Sequence, residues 1–435
     1  MKILPNFRSA GIKNFSKLLS ANIIAQIIGL IVYPILTRIY TPEDFGLLNL
    51  FLSISGVLVI LSTAEYYNAI VLPKEEEKAI SLIQVCLLLL FSITGLTTIS
   101  VFFSKQIAFL FNTPKLADYY WMMPIIVFAL GGWNVLNYWY IRNTQYNNIS
   151  IYQLINSTIS AGGKLSFGYI GILNGGMIYS MVIAPIIALS LNVFILKNKI
   201  KYLLNFSWNK IKYIAKEYRN FPKYSLPRNF VNLLVGQLPV LLLTPIFGSH
   251  YVGLWGMALL LGFTPISIIT KSIYQILYQY TAERVNKKQP IYNFFIRFTS
   301  IVLIVGIPFF SILYWILPDL TLLLLGEGWD ETSLYLQWML PWVLFSLLTS
   351  STGFLADIFF KQKIGFGFEI LTAILRIIGV CLGIWTNNFS ISIIGYSLGT
   401  TIAIAAQYFW LISLTKKYDA KILFSENVTL DNNEI

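Results

Sequence analysis

About twelve apolar stretches, each close to twenty residues long and separated by short polar loops, run along almost all of this 435-residue chain. A segment of about 20 apolar residues crosses a bilayer at 1.5 Å per residue. The spans predicted are 15–37, 45–69, 79–103, 120–141, 150–173, 176–196, 229–247, 252–280, 291–317, 333–359, 365–386 and 390–414. Hydrophobic residues make up 56% of the sequence and charged residues 11%, against about a quarter charged in soluble domains. The fold class is therefore an all-α polytopic membrane protein with about twelve transmembrane helices.

The formal charge of +12 does not point to nucleic acid, because the basic residues collect in alternate loops. With the N-terminus inside, the inner loops hold Lys2, Arg8, Lys13, Lys17, Lys74, Lys78, Arg142, the cluster Lys197 to Arg228, Arg284, Lys287, Lys288, Lys361, Lys363, Lys416, Lys417 and Lys421. The outer side holds Arg38, Lys105 and Lys115, with Glu43, Asp44, Asp319, Glu327, Asp330 and Glu331. This asymmetry places both termini in the cytoplasm. Cys86 and Cys381 both lie in apolar stretches and read as buried thiols rather than a disulfide. The lone His250 and two separated cysteines do not make a transition-metal site, and no GxxxxGK[ST] loop is present, so no cofactor is expected.

The longest inner loop, 197–228, carries Trp208, Ile211, Ile214, Ala215, Tyr218 and Phe221 at helical spacing, with lysines on the other faces. Ser207 reads as its N-cap and Pro222 as its stop. The segment reads as an amphipathic helix on the cytoplasmic surface, drawn to anionic lipid, and equally as a basic linker that fixes orientation; the two readings are compatible. The loop also bisects the chain into 1–207 and 208–435, six spans on each side. An offset of 207 residues pairs Asn22 with Asn229, Gly29 with Gly236, Leu36 with Leu243, Thr37 with Thr244, Gly46 with Gly253 and Leu47 with Leu254. Parallel six-helix repeats related by an axis along the membrane normal are a transporter architecture.

Charges deep in a span are costly and face a cavity or a partner. Arg376, near the middle of 365–386, is the clearest, and Glu369 lies two turns earlier on roughly the same face. Lys164 follows Gly162 and Gly163, and Lys271 follows Pro265. Arg228 and Arg142, at span ends, read equally as ligands or as topology anchors. These five cations are the candidate substrate-binding residues. The carboxylates Glu369, Glu65 and Asp357 are candidates for H⁺ or Na⁺ coupling, although Asp357 with Lys361 also reads as an exposed i,i+4 pair. Trp121, Trp133, Trp139 and Trp342 are candidates for stacking on sugar rings.

The run PILTRIYTPEDFGLLNLF, Pro34 to Phe51, followed by AIVLPK, Ala69 to Lys74, resembles the N-terminus of bacterial polysaccharide flippases, the O-antigen and capsule repeat-unit transporters of the multidrug/oligosaccharidyl-lipid/polysaccharide exporter superfamily. Many relatives carry an Arg-Tyr-Glu run before the second motif; here Glu65, Tyr66 and Tyr67 stand there, so that arginine's role does not transfer. The resemblance implies alternating access between two six-helix bundles. It also implies movement of undecaprenyl-diphosphate-linked oligosaccharide between the leaflets of the bacterial inner membrane, alongside a polysaccharide polymerase. A multidrug exporter of the same superfamily and a membrane-embedded polymerase or ligase are the alternatives. Such an enzyme keeps a sizeable outer loop, and the longest outer loop here is around 318–332. Nothing in the chain itself points to an enzyme.

Overall fold

The computed structural model describes residues 9–195 and 207–431, and among them there is no β-strand. The first part of the basic cluster, from Lys197, and the N-terminal Lys2 and Arg8 lie outside the described residues. Twelve long helices and one short amphipathic helix carry the fold. They are α1 (Ser9–Ile39), α2 (Pro42–Ser62), α3 (Glu76–Ser100), α4 (Met123–Arg142), α5 (Tyr146–Tyr169), α6 (Leu173–Ile195), α7 (Trp208–Glu217), α8 (Leu226–Phe247), α9 (Ser249–Asn286), α10 (Tyr292–Leu325), α11 (Asp330–Thr352), α12 (Gln362–Trp385) and α13 (Phe389–Asp431). Among the described residues ten helical segments are long and apolar enough to cross a membrane. The described part of α1 adds a shorter apolar stretch, Gln26–Ile39. Helix α5 is long enough but is not among the ten, because Gln153, Asn156, Ser157, Thr158, Ser160 and Lys164 dilute its apolar character. The chain is an all-α multi-pass membrane protein, as the hydropathy pattern predicts.

Local chemistry sets the helix ends. Thr41 and Asp44 form a capping box at the start of α2: the Asp44 carboxylate accepts from the Thr41 amide at 3.0 Å, and Pro42 fills the first turn, where no N–H is needed. The predicted span 45–69 is shorter than expected. Helix α2 ends at Ser62, Ala64 and Glu65 turn left-handed at φ 46° and 63°, and a 3₁₀ segment follows over Tyr66–Val71. Two successive L-residues in that region cost about 1–2 kcal/mol each, so the surroundings must hold the break.

The contacts divide the chain into two compact units after Leu254. In the first unit a core of Tyr66, Ile70, Leu82, Cys86, Trp139 and Tyr140 also takes in Ile211 and Ile214 of α7. The amphipathic helix thus forms where the sequence predicts it, but its apolar face packs on protein. Tyr66 Oη donates to the Ala215 carbonyl at 2.9 Å, Lys210 pairs with Glu77, and Lys78 stands 3.7 Å from Glu217. Trp208 and Tyr213 remain exposed. In the second unit Phe295, Leu348, Phe354, Tyr408 and Leu411 form a core, and the Asp419 carboxylate accepts from the amides of Ile291 and Tyr292 at 2.9 Å each. Cys86 is buried, whereas Cys381 is exposed on α12, contrary to the expectation of two buried thiols.

The repeat seen in the sequence has a structural counterpart. Helix α2 starts at Pro42 and α9 at Ser249, the same 207-residue offset that pairs Gly46 with Gly253. A second offset, 216 residues, relates the helix ends around α5 and α12. Gln145 N donates to the Tyr140 carbonyl at 2.8 Å and Lys361 N to the Ala356 carbonyl at 2.7 Å. Likewise Ile172 N reaches the Phe167 carbonyl and Asn388 N the Gly383 carbonyl, both at 2.9 Å. All four close a helix end around a left-handed residue, Thr144, Phe360, Gly171 and Asn387 respectively.

Candidate functional site

Arg376 sits on α12 in the second unit. Its Nε donates to the Thr400 hydroxyl of α13 at 3.0 Å, and Thr400 passes its own proton to the Tyr396 carbonyl at 2.7 Å. The guanidinium lies 4.9 Å from the Tyr396 ring centroid and 5.3 Å from that of Trp342 on α11. Two aromatic faces and one hydroxyl therefore replace part of its hydration. Among the described residues no carboxylate pairs with it, and none of the described hydrogen bonds engages its Nη atoms. The bidentate edge of the fork therefore meets no protein acceptor among the described residues, and such an edge is the geometry that carboxylates and phosphates accept from. Glu369, expected to share a cavity with Arg376, is exposed, and no ion pair joins the two.

Lys164 is the buried cation of the first unit, 8% exposed. Its Nζ lies 5.8 Å from the Tyr33 ring centroid on α1, and Tyr40 Oη donates to its backbone carbonyl at 2.8 Å. Gly163 lets α5 approach α6: a Cβ there would stand 2.9 Å from Ser180 Oγ. Gly163 therefore serves close helix approach, whereas a Cβ on Gly162 would meet nothing within 4 Å.

Glu65 is 1% exposed. Its carboxylate accepts from Tyr67 Oη at 3.1 Å, from Asn229 Nδ2 of α8 at 2.9 Å, and from Asn68 Nδ2. It has neutral donors only, with no cation beside it among the described ion pairs.

Arg142 donates to the carbonyls of Ile70 at 3.1 Å, Lys74 at 3.3 Å, Glu75 at 3.4 Å, and Pro73. Its donors are committed to the turn that follows the α2 break. Arg228, Lys271 and Asp357 are exposed. Asp357 and Lys361 do not form the expected helical pair: the helix closes at Phe359, and Phe360 is left-handed at φ 52° between them. Residues not singled out from the sequence as site residues include Thr400, Tyr396, Tyr33 and Asn68, and Asn229 was read only as a repeat position. Hydroxyl, phenol and amide side chains in apolar sequence were the available signal.

The sequence profile of a family described as "Polysaccharide biosynthesis protein" matches residues 35–334. The chain belongs to that family. Solved structures with a similar fold are distant in sequence. An inward-facing multidrug resistance MATE family transporter of the MOP superfamily is 14% identical, with 90% of this chain and 96% of that chain covered at a TM-score of 0.69. The lipid II flippase MurJ in an inward closed conformation is 14% identical, with 94% of this chain and 91% of that chain covered at a TM-score of 0.67. An outward-facing MATE transporter is 14% identical, with 94% and 96% covered at 0.58. No curated protein sequence matches the chain. This member of the polysaccharide biosynthesis family therefore has the helical fold that those structures share, as its N-terminal motif implies.

Proposed function

We propose that this protein is a flippase that moves undecaprenyl-diphosphate-linked oligosaccharide repeat units from the cytoplasmic to the outer leaflet of the bacterial inner membrane. The cargo would feed O-antigen, capsule or exopolysaccharide assembly by a polymerase on the far side. The observation that carries the reading is Arg376: a guanidinium inside a membrane span, held by Thr400, Trp342 and Tyr396, with no carboxylate beside it. A lipid diphosphate is an anion that must cross a low-dielectric slab, and charge-assisted hydrogen bonds replace its hydration. Lys164 supplies a buried cation in the first unit, and Arg228 and Lys271 add exposed charges. Family membership and the likeness to a lipid II flippase support the lipid-linked cargo. Both termini lie in the cytoplasm, anionic lipid meets the exposed lysines and Trp208 of α7, and two six-helix repeats divided near residue 207 alternate access.

The test is surface glycan at matched levels of membrane-inserted protein. Arg376→Ala abolishes or severely reduces export, and Arg376→Lys retains part of it, because the charge survives without the fork. Wild-type glycan in Arg376→Ala rejects the assignment.

A further inference from the structure

Helix α5 carries an unusual run of polar atoms. Gln145 Oε1 at its N-cap, and Tyr152 Oη, Gln153 Oε1 and Asn156 Oδ1 within it, are buried without a hydrogen-bond partner among the described residues. With Ser160 and Lys164 they fall within about a third of the helix circumference, at 100° per residue. Tyr152, Ser160 and Lys164 are 4%, 9% and 8% exposed. The face is fixed from both sides: Tyr152 stacks on Trp133 of α4 with ring centroids 3.4 Å apart, and Ser160 Oγ points to Met181 of α6. From Gln145 to Lys164 the stripe rises about 28 Å, close to the hydrocarbon thickness of about 30 Å.

Buried polar groups without partners are costly in a protein interior and more so inside a membrane. Several on one helix face mark a surface built to be completed from outside the chain. The chemistry of the completing group follows from theirs: amide oxygens accept hydrogen bonds, the phenol and serine hydroxyls donate or accept, and one ammonium takes one negative charge. An isoprenoid tail offers none of these, and an inorganic ion does not extend over several helical turns. A chain of hydroxyl-bearing sugar rings does.

We infer that the Gln145–Lys164 face of α5 is a carbohydrate track, along which the glycan of the cargo is hydrogen-bonded while its anionic end meets Lys164. The inference rests on the flippase reading for its cargo but not for its binding chemistry, and the experiment separates the two. In a background carrying Cys86→Ala and Cys381→Ser, thiols introduced as Asn156→Cys and Ser160→Cys react with a hydrophilic methanethiosulfonate reagent in membrane vesicles. Maltotetraose slows that reaction several-fold relative to potassium chloride at equal osmolality. In proteoliposomes the double variant Gln153→Leu with Asn156→Leu loses about tenfold of the flipping rate of a tetrasaccharide carried on undecaprenyl diphosphate, the effect of two lost hydrogen-bond partners. Its loss on the single-sugar analogue is several-fold smaller. Thiols that stay unreactive show a dry helix face and overturn the proposal. Thiols that react equally fast with and without the saccharide show a merely water-filled groove, and equal effects on both lipids show no glycan recognition; each overturns it as well. Protection of the introduced thiols by maltotetraose, together with a wild-type protein that flips neither lipid, keeps the track and removes the flippase reading.

Discussion

Gly46 lies against the backbone of Ser249, and Gly253 lies against that of Pro42: a Cβ on either glycine would overlap the facing carbonyl group. The four residues correspond in pairs across the 207-residue offset, so the contact is symmetric about a local two-fold. Glu43 and His250, also related by that offset, meet across it with Oε1 and Nδ1 2.6 Å apart. The glycines are what permit it, because two helix starts pack here backbone to backbone. Gly46→Val and Gly253→Val are each expected to destabilise the protein by about 1–3 kcal/mol through overpacking, read as a lower midpoint of thermal unfolding in detergent. Glu43→Gln alters only a half-exposed contact with His250, worth about 0–1 kcal/mol, and leaves that midpoint nearly unchanged. A valine at Gly253 that unfolds at the wild-type temperature would show that the close approach is dispensable.

Arg142 gives the second prediction. Its guanidinium gathers four carbonyls from Ile70 to Glu75, which a lysine ammonium cannot span in the same geometry. Hydrogen bonds from a charged group contribute about 1.5–3 kcal/mol each when partly buried. Arg142→Ala and Arg142→Lys should both lower stability and expose the turn after Ile70 to protease. If Arg142 instead contacts cargo, the unfolding midpoint stays at the wild-type value and only glycan export falls.

These arrangements were unequally legible in the sequence. Helix number, the amphipathic α7 and the paired starts of α2 and α9 followed from hydropathy and periodicity, which depend on residue type alone. The α2 break did not: no glycine or proline marks Ala64 and Glu65, and the left-handed turn is held by long-range partners such as Asn229. Arg376 was legible as a mid-span charge, but its partner was not. Glu369 sits at a suitable spacing, yet hydroxyl and aromatic groups brought in by α11 and α13 take the place of a counter-charge. The α5 stripe was present in the sequence as polar residues at helical spacing; only burial shows which of their atoms lack partners.

Topology gives the third prediction. In the first unit Lys210 meets Glu77 and Arg142 meets Glu75, so the loops near 75, 142 and 210 share one end. In the second, Asp419 meets Ile291 and Tyr418 Oη meets the Val285 carbonyl, so the tail and the loop near 287 share another. Reporter fusions after residues 75, 145, 210, 287 and 420 should read cytoplasmic, and those after 112, 250 and 328 external, as the basic residues dictate. An external signal at 210 would reverse the orientation of the whole first unit.

Glu65 gives the last prediction, which concerns the source of free energy. Directional export needs one, and a membrane potential supplies about 2.3 kcal/mol per charge per 100 mV. The coupling group must be reachable by an ion yet shielded from bulk water in at least one state. Glu369 and Asp357 are exposed, whereas Glu65 is buried and holds three neutral donors, one of them Asn229 on α8. Loading H⁺ or Na⁺ onto the carboxylate changes what Asn229 meets, and so acts directly on the contact between the α2 break and α8. The Glu65→Gln amide carries no charge to exchange. Flipping of the lipid-linked tetrasaccharide in proteoliposomes should accelerate under an imposed H⁺ or Na⁺ gradient in wild type, and that response should vanish in Glu65→Gln while a slower, gradient-independent rate remains. Glu369→Gln should keep the response. Equal rates with and without every gradient, in wild type and variant alike, would remove the carboxylate from the mechanism. Export would then be drawn forward by polymerisation of the glycan on the outer face.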